Sequence, residues 1–148
     1  DIGSSFLPSE IIAAFLWAQL ENLYDIQNKR KHIWNSYYEG LKHLEEEGFV
    51  MLPSIPHYST NNAHMFYMVC KSLEQRNQLI DYLKQRNILP VFHYISLHKS
   101  PFYAHRYQGE TLNKSDMYSD CLVRLPLYYE LKDEEVKYII TSVNGFYK

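Results

Sequence analysis

The side chains best equipped for chemistry gather between Val91 and Tyr103, in the string VFHYISLHKSPFY. It holds His93, Tyr94, His98, Lys99 and Tyr103 just downstream of a strand-like run. An imidazole can shuttle a proton or donate to phosphate near neutral pH, and segments leaving a strand end are where such groups concentrate. The same spacing suits a surface loop with structural histidines, so both readings stand at this point. A metal centre is disfavoured, because His93 and His98 are not in an HExxH string and no third ligand is evident. Self-sufficient acid-base catalysis is weakened by the lack of a carboxylate near either histidine in the sequence, and Lys99 has no acidic neighbour there either. His64 begins an apolar run and reads as a hydrogen-bonded core residue; His32, His43, His57 and His105 receive no chemical role. GxSxG, P-loop and GxGxxG strings are all missing. Gly3-Ser4-Ser5, ahead of a helix, is the one glycine-containing stretch whose amides and hydroxyls could receive an anion, although serine is common helix punctuation.

Several elements must position these residues. Ile88–Tyr94 reads as a strand that Pro90 pushes toward a sheet edge. Ser100–Tyr107 and Lys114–Cys121 read as short helices, and Leu122–Leu125 as another strand. Upstream, Ala63–Cys70 (AHMFYMVC) is nearly all apolar and predicts a central strand buried on both faces. Phe49–Leu52 is a short strand candidate ahead of the turn-rich Pro53–Asn62. Ser72 and Gln75 form a capping-box pattern that opens a helix through about Gln85. A final helix opens at Asp133 and turns Val136, Ile139, Ile140, Val143 and Phe146 inward.

At the other end, Pro8, Ser9 and Glu10 mark a helix start. Ile11–Ala18 has almost no polar side chain, so it must be covered on every side, which is more than one small domain can supply. From Leu23 the pattern becomes amphipathic through Ile26, Ile33, Trp34, Tyr37, Leu41 and Leu44, and Gly48 stands where a left-handed cap would sit. Glu45, Glu46 and Glu47 oppose the helix dipole, so that end is expected to fray. Pro8–Glu47 is one bent helix or two. The order predicts an α+β fold: a small, mainly antiparallel sheet flanked by helices and preceded by a long N-terminal helix.

Composition narrows the function. A chain of 148 residues suits a single domain with one core. A charged share of 22% with 16% aromatics excludes a disordered chain. A net charge of -2 without a basic stripe excludes a nucleic-acid partner, and Lys29-Arg30-Lys31 reads as a solvated helix face. Cys70 and Cys121, without a CxxC, predict free buried thiols and a cytoplasmic address. No apolar run is long enough to span a membrane and no signal peptide is visible, so no membrane partner is expected. The 14 tyrosines suit a partly wet interface. Asp1 opens directly on structured-looking sequence, so a fragment of a longer protein is expected.

The opening DIGSSFLPSEIIAAFLWAQLENL, the helix with IQNKRK and SYYEGL, the middle NNAHMFYMVC, the loop VFHYISLHKSPFY and the closing VRLPLYYELKDEEVKYII occur in one order. Together they resemble the C-terminal part of the DegT/StrS family of sugar-nucleotide aminotransferases, over essentially the whole chain. The resemblance implies a small C-terminal domain of a fold-type-I enzyme that uses pyridoxal phosphate (PLP). It implies amino transfer from glutamate to the 4-keto carbon of a dTDP-linked 6-deoxyhexose. The partners implied are an N-terminal large domain of the same enzyme, which carries the cofactor lysine, and a second copy in a homodimer. That lysine lies in a Ser-x-His-x-x-Lys context in the family, and no such string occurs here. Most relatives have Gly-x-Asn-x-Arg before the first helix, the Asn reaching the cofactor phosphate of the partner subunit. Ser5 takes the Asn position and Leu7 the Arg position, which makes Ser5 the cofactor-binding candidate. His93 matches a family histidine near sugar and cofactor, and Tyr94 and His98 match neighbours lining the same pocket. These three are the substrate-binding candidates, and the chain itself has no catalytic and no metal-ligating candidate.

Three functions compete on these grounds: part of a PLP-dependent sugar aminotransferase, a stand-alone α+β module holding a small anionic ligand through the His93–His98 loop, and a self-sufficient acid-base enzyme using His93 and His98.

Overall fold

A computed structural model describes residues 7–148. Helix α1 (Glu10–Glu21) begins at Ser9, whose hydroxyl accepts from the Ile12 amide at 3.4 Å, so Ser9 is the cap and Pro8 stands one residue outside. Asn22 interrupts the run, and α2 (Leu23–Glu46) follows at once. The N-terminal stretch is therefore two helices. No residue of α1 is buried within the chain. The packed face of α2 consists of Ile33, Trp34, Tyr37, Leu41 and Leu44; Leu23, which continues the same apolar pattern, is exposed.

The end of α2 does not fray. Gly48 has φ 72°, its amide donates to the Glu45 carbonyl (2.8 Å), and the Phe49 amide reaches back to the Leu44 carbonyl (2.7 Å), a Schellman closure. Glu45, expected to destabilise this end, instead accepts from the Leu52 amide at 2.7 Å and ties down the chain that leaves the helix. Asn87, with φ 58°, closes α3 (Leu73–Lys84) in the same way through the Ile88 amide and the Leu83 carbonyl. The expected cap at the start of α3 is present: Ser72 Oγ accepts from the Gln75 amide at 3.1 Å and the Lys71 amide donates to Gln75 Oε1 at 2.9 Å.

The sheet has the order β1-β3-β2 and is antiparallel throughout, with β1 Phe66–Val69, β2 Val91–Phe92 and β3 Leu122–Leu125. The expectation that the Ala63–Cys70 run forms the central strand is corrected, since β3 occupies the centre, pairing Phe66 with Leu125 on one side and Val91 with Arg124 on the other. The Phe49–Leu52 candidate contributes a single bridge, Met51 to Val69, beside β1. The strand expected over Ile88–Tyr94 contracts to two residues and lies at an edge, as Pro90 requires. Ser100–Tyr107 forms successive turns instead of a helix, with the Ala104 amide on the Ser100 carbonyl and the Tyr107 amide on the Tyr103 carbonyl, both 2.9 Å.

One face of the sheet, carrying Phe66, Met68, Val123 and Leu125, packs against buried residues of α2, α3 and α5 (Asp133–Phe146). Tyr37 anchors this core by donating from its buried hydroxyl to the Pro126 carbonyl at 2.8 Å, and burial pushes its phenol well above the usual range. α2 and α5 approach closely at Gly40: a Cβ there would stand 2.7 Å from Ile140 Cγ2. The architecture is α+β with a small antiparallel sheet, as the order of elements predicts. No described helix is long and apolar enough to cross a membrane.

Candidate functional site

The segment that carries the candidate residues leaves β2 at Phe92, passes through a 3-10 turn at Leu97–Lys99 and enters the turns after Ser100. Helix α4 (Asn113–Cys121) lies beside it and runs into β3 without a linking residue. The cluster is thus tethered to the middle of the sheet.

His93 is half-buried, and its Nδ1 is buried without a hydrogen-bond partner among the described residues. Its ring meets that of Tyr94 edge-on at 4.8 Å. Tyr94 itself is 81% exposed, so its phenol is offered outward. His98 is the contrasting case. Its side chain is only 10% exposed, its Nε2 lies 3.1 Å from Asp116 Oδ1, and its ring packs at 5.2 Å on Tyr107. The His98 contact has ion-pair distance without hydrogen-bond alignment, which leaves Asp116 Oδ1 with an open acceptor position. The other carboxylate oxygen is 2.8 Å from Lys99 Nζ. That Lys99 contact, helped by Ser96, holds the Asp116 carboxyl below the usual carboxylate range, and Asp116 in turn raises the Lys99 amine.

Asp116 is the residue that sequence reasoning missed. A carboxylate does stand beside His98 and Lys99, contrary to expectation, because α4 carries it back across the intervening turns. The one signal for it was the position of Asp116 in the first turn of an expected helix, where an acid favours the dipole and needs no other partner.

A cleft of about 380 Å³ opens between the 3-10 turn and α4, lined by Leu97, His98, Tyr103, Arg106, Tyr107, Leu112 and Ser115. It takes His98, and neither His93 nor Tyr94 is among the described residues that line it. Ser5 lies outside the described residues. Among the described residues no group of three metal-ligating side chains comes together.

The cluster combines an open phenol, a half-buried imidazole with an unfilled nitrogen, and an imidazole held by a carboxylate. Such a surface can orient a polar ligand. The Lys99 amine beside it is paired with Asp116, which raises it above its ordinary value. Comparison with known proteins gives these features a frame. The profile of the DegT/DnrJ/EryC1/StrS aminotransferase family matches residues 2–144. The chain belongs to this family. A relative described as dTDP-3-amino-3,6-dideoxy-alpha-D-galactopyranose transaminase, from Aneurinibacillus thermoaerophilus, is 28% identical over 93% of this chain and 36% of its own length. Among solved structures, Helicobacter pylori PseC, an aminotransferase involved in the biosynthesis of pseudoaminic acid, superposes with a TM-score of 0.83 at 20% identity, covering 99% of this chain and 39% of its own. A Streptococcus pneumoniae protein solved in a PMP-form superposes with a TM-score of 0.73 at 25% identity, over 88% of this chain and 33% of its own, and has also been solved in a PLP-form. The chain therefore spans between 33% and 39% of the length of these relatives.

Proposed function

We propose that the chain is the C-terminal small domain of a PLP-dependent aminotransferase that transfers an amino group from glutamate to a dTDP-4-keto-6-deoxyhexose, in the building of a surface polysaccharide of the lipopolysaccharide or common-antigen type. The order of its sequence motifs resembles that of dTDP-4-amino-4,6-dideoxygalactose transaminase, which supports the 4-keto reading. The observation that carries the reading is the family match over residues 2–144 by a chain spanning about a third of its relatives. An N-terminal large domain of the same enzyme and a second copy of it complete the active site.

The residues of this chain suit a supporting part. PLP, when bound, supplies an electron sink for the proton shift that exchanges amine and ketone. Lys99 is a poor match for the amine that holds it, since it is paired with Asp116 and stands outside the family's lysine string. No lysine of this chain, Lys99 included, lies in a Ser-x-His-x-x-Lys string. The lysine and the proton transfers therefore belong to the large domain. Ser5 donates its hydroxyl to the cofactor phosphate of the partner subunit. His93, with its unfilled Nδ1, and the outward Tyr94 phenol orient the sugar, and His98 donates to the ligand's phosphates. The apolar surface of α1 is covered by the large domain and the second copy, and the whole enzyme works in the cytoplasm.

A second reading concerns the position of the ketone. The Aneurinibacillus relative is described by a 3-amino sugar, which makes C3 the competing carbon. The test is to incubate the complete enzyme with PLP, glutamate and either the 3-keto or the 4-keto dTDP-6-deoxyhexose, and to locate the new amine by NMR. An amine at C4 is expected. Turnover of the 3-keto sugar alone corrects the substrate, and turnover of neither sinks the reading.

A further inference from the structure

Three side chains on one side of α4 reach into the segment between Tyr94 and Lys99. Ser119 Oγ donates to the Tyr94 carbonyl (3.2 Å) and accepts from the Ser96 amide (3.1 Å), so one hydroxyl uses both its capacities on the loop backbone. Ser115 Oγ lies 3.4 Å from Ser96 Oγ, and Asp116 grips His98 and Lys99. The spacing of 115, 116 and 119 turns these groups toward the same neighbour.

The loop needs such an anchor. β2 has only two residues, both exposed, and the chain leaves the ladder at Phe92. A segment without ladder bonds has few means of holding one conformation. Yet Ser96 is buried and His98 nearly so, which means that the loop is packed. The side-chain contacts on the loop come from α4, whose last residue, Cys121, adjoins the central strand.

We infer that Ser119 and Asp116 are positioning residues: Ser119 fixes the backbone that aims Tyr94, and Asp116 fixes the imidazole of His98, so that both meet the substrate in one pose. The inference rests on the function proposed above, because it assumes that Tyr94 and His98 touch substrate. Neither positioning residue touches substrate itself.

The test has two arms. In the chain itself, amide hydrogen exchange at Ser96 is followed by NMR. Ser119→Ala is expected to speed it by about tenfold, and Ser119→Thr, which keeps a hydroxyl, to restore it most of the way. In the complete enzyme, Ser119→Ala and Asp116→Asn are expected to raise KM for the sugar nucleotide by about tenfold with a much smaller change in kcat, and Ser119→Thr to recover most of the loss. Faster exchange with an unchanged KM would reduce the contacts to structural ones and overturn the inference. Unchanged exchange would overturn it as well. A wild-type enzyme that transfers no amino group would instead overturn the proposed function, and the exchange arm would still decide whether α4 holds the loop.

Discussion

Lys99 Nζ lies 2.8 Å from Asp116 Oδ2, which fastens the 3-10 turn to the first turn of α4 across the whole 100–115 segment. The pair closes a long connection with one charge-assisted contact. Lys99 is 59% exposed while Asp116 is nearly covered, so the carboxylate, more than the amine, feels the loss of water.

A pH dependence follows from this pair. The Lys99 contact, opposed by burial and helped by Ser96, holds Asp116 below its ordinary value of 3.8. A carboxyl with a lowered native value stabilises the fold above its unfolded value and loses that contribution as pH falls through the native one. The loop contact is therefore expected to persist unchanged from neutral pH down to about the ordinary carboxylate range and to break only below it. A carbon-detected NMR titration of the Asp116 carboxyl checks this; a midpoint at or above 3.8 would mean that the contact is not made in solution.

Gly40 offers a packing prediction. A methyl group at this position would meet Ile140 Cγ2 at 2.7 Å and Cδ1 at 2.9 Å. Cγ2 is bonded to Cβ of a β-branched residue, so it has little freedom to retreat. Replacing a helical glycine with alanine would otherwise gain up to about 1 kcal/mol. The clash is expected to outweigh that gain, leaving Gly40→Ala less stable by about 1–2 kcal/mol in urea unfolding. In an Ile140→Ala background the same substitution should be neutral or stabilising, and equal effects in both backgrounds would show that the two helices do not meet there.

How legible each feature was depended on how local its cause is. Gly48 and Ser72 were readable because a left-handed cap and a hydroxyl cap are chosen by the residue itself. The strand order was not, because AHMFYMVC and LVRL are both apolar and only pairing partners decide which lies in the middle. The end of α2 was misjudged for a related reason: the dipole argument treats Glu45 as an isolated charge, whereas the returning chain brings it the Leu52 amide. Asp116 stayed hidden because its contacts depend on how α4 docks, and no spacing rule connects a residue to a loop across irregular chain. His98 lies in the loop where the sequence places it, but its partner is legible only in three dimensions.

The cysteines should be inert in the native state. Burial pushes the Cys70 thiol up to about 11, opposed in part by its 3.6 Å contact with the Tyr147 hydroxyl, and Cys121 is raised too, mainly by burial. Only the thiolate attacks an alkylating reagent. At neutral pH, iodoacetamide is expected to modify Cys70 at least about a hundredfold more slowly in the native chain than in denaturant. Native labelling at the denatured rate would contradict the burial described for Cys70.

Helix α1 gives the broadest prediction. Ile11, Phe15 and Trp17 are 73%, 72% and 67% exposed, and Ile12, Leu16 and Leu20 are exposed as well. Phe15 and Trp17 together could remove roughly 200–350 Å² from water, on the order of 5–9 kcal/mol. That is comparable to the roughly 4–15 kcal/mol lost when two bodies associate, so the two aromatics alone do not guarantee a complex. The aliphatic residues of the same helix shift the balance, because they enlarge the patch beyond what a soluble monomer usually leaves open. The apolar side chains also surround the helix, so a single contact leaves the opposite side uncovered. The chain on its own is therefore expected to self-associate, with a mass that rises with concentration in light scattering. Phe15→Glu with Trp17→Glu places a charge on each side and should return it to a monomer of 17.7 kDa. A wild-type chain that scatters as a clean monomer at high concentration would show that α1 does not drive self-association.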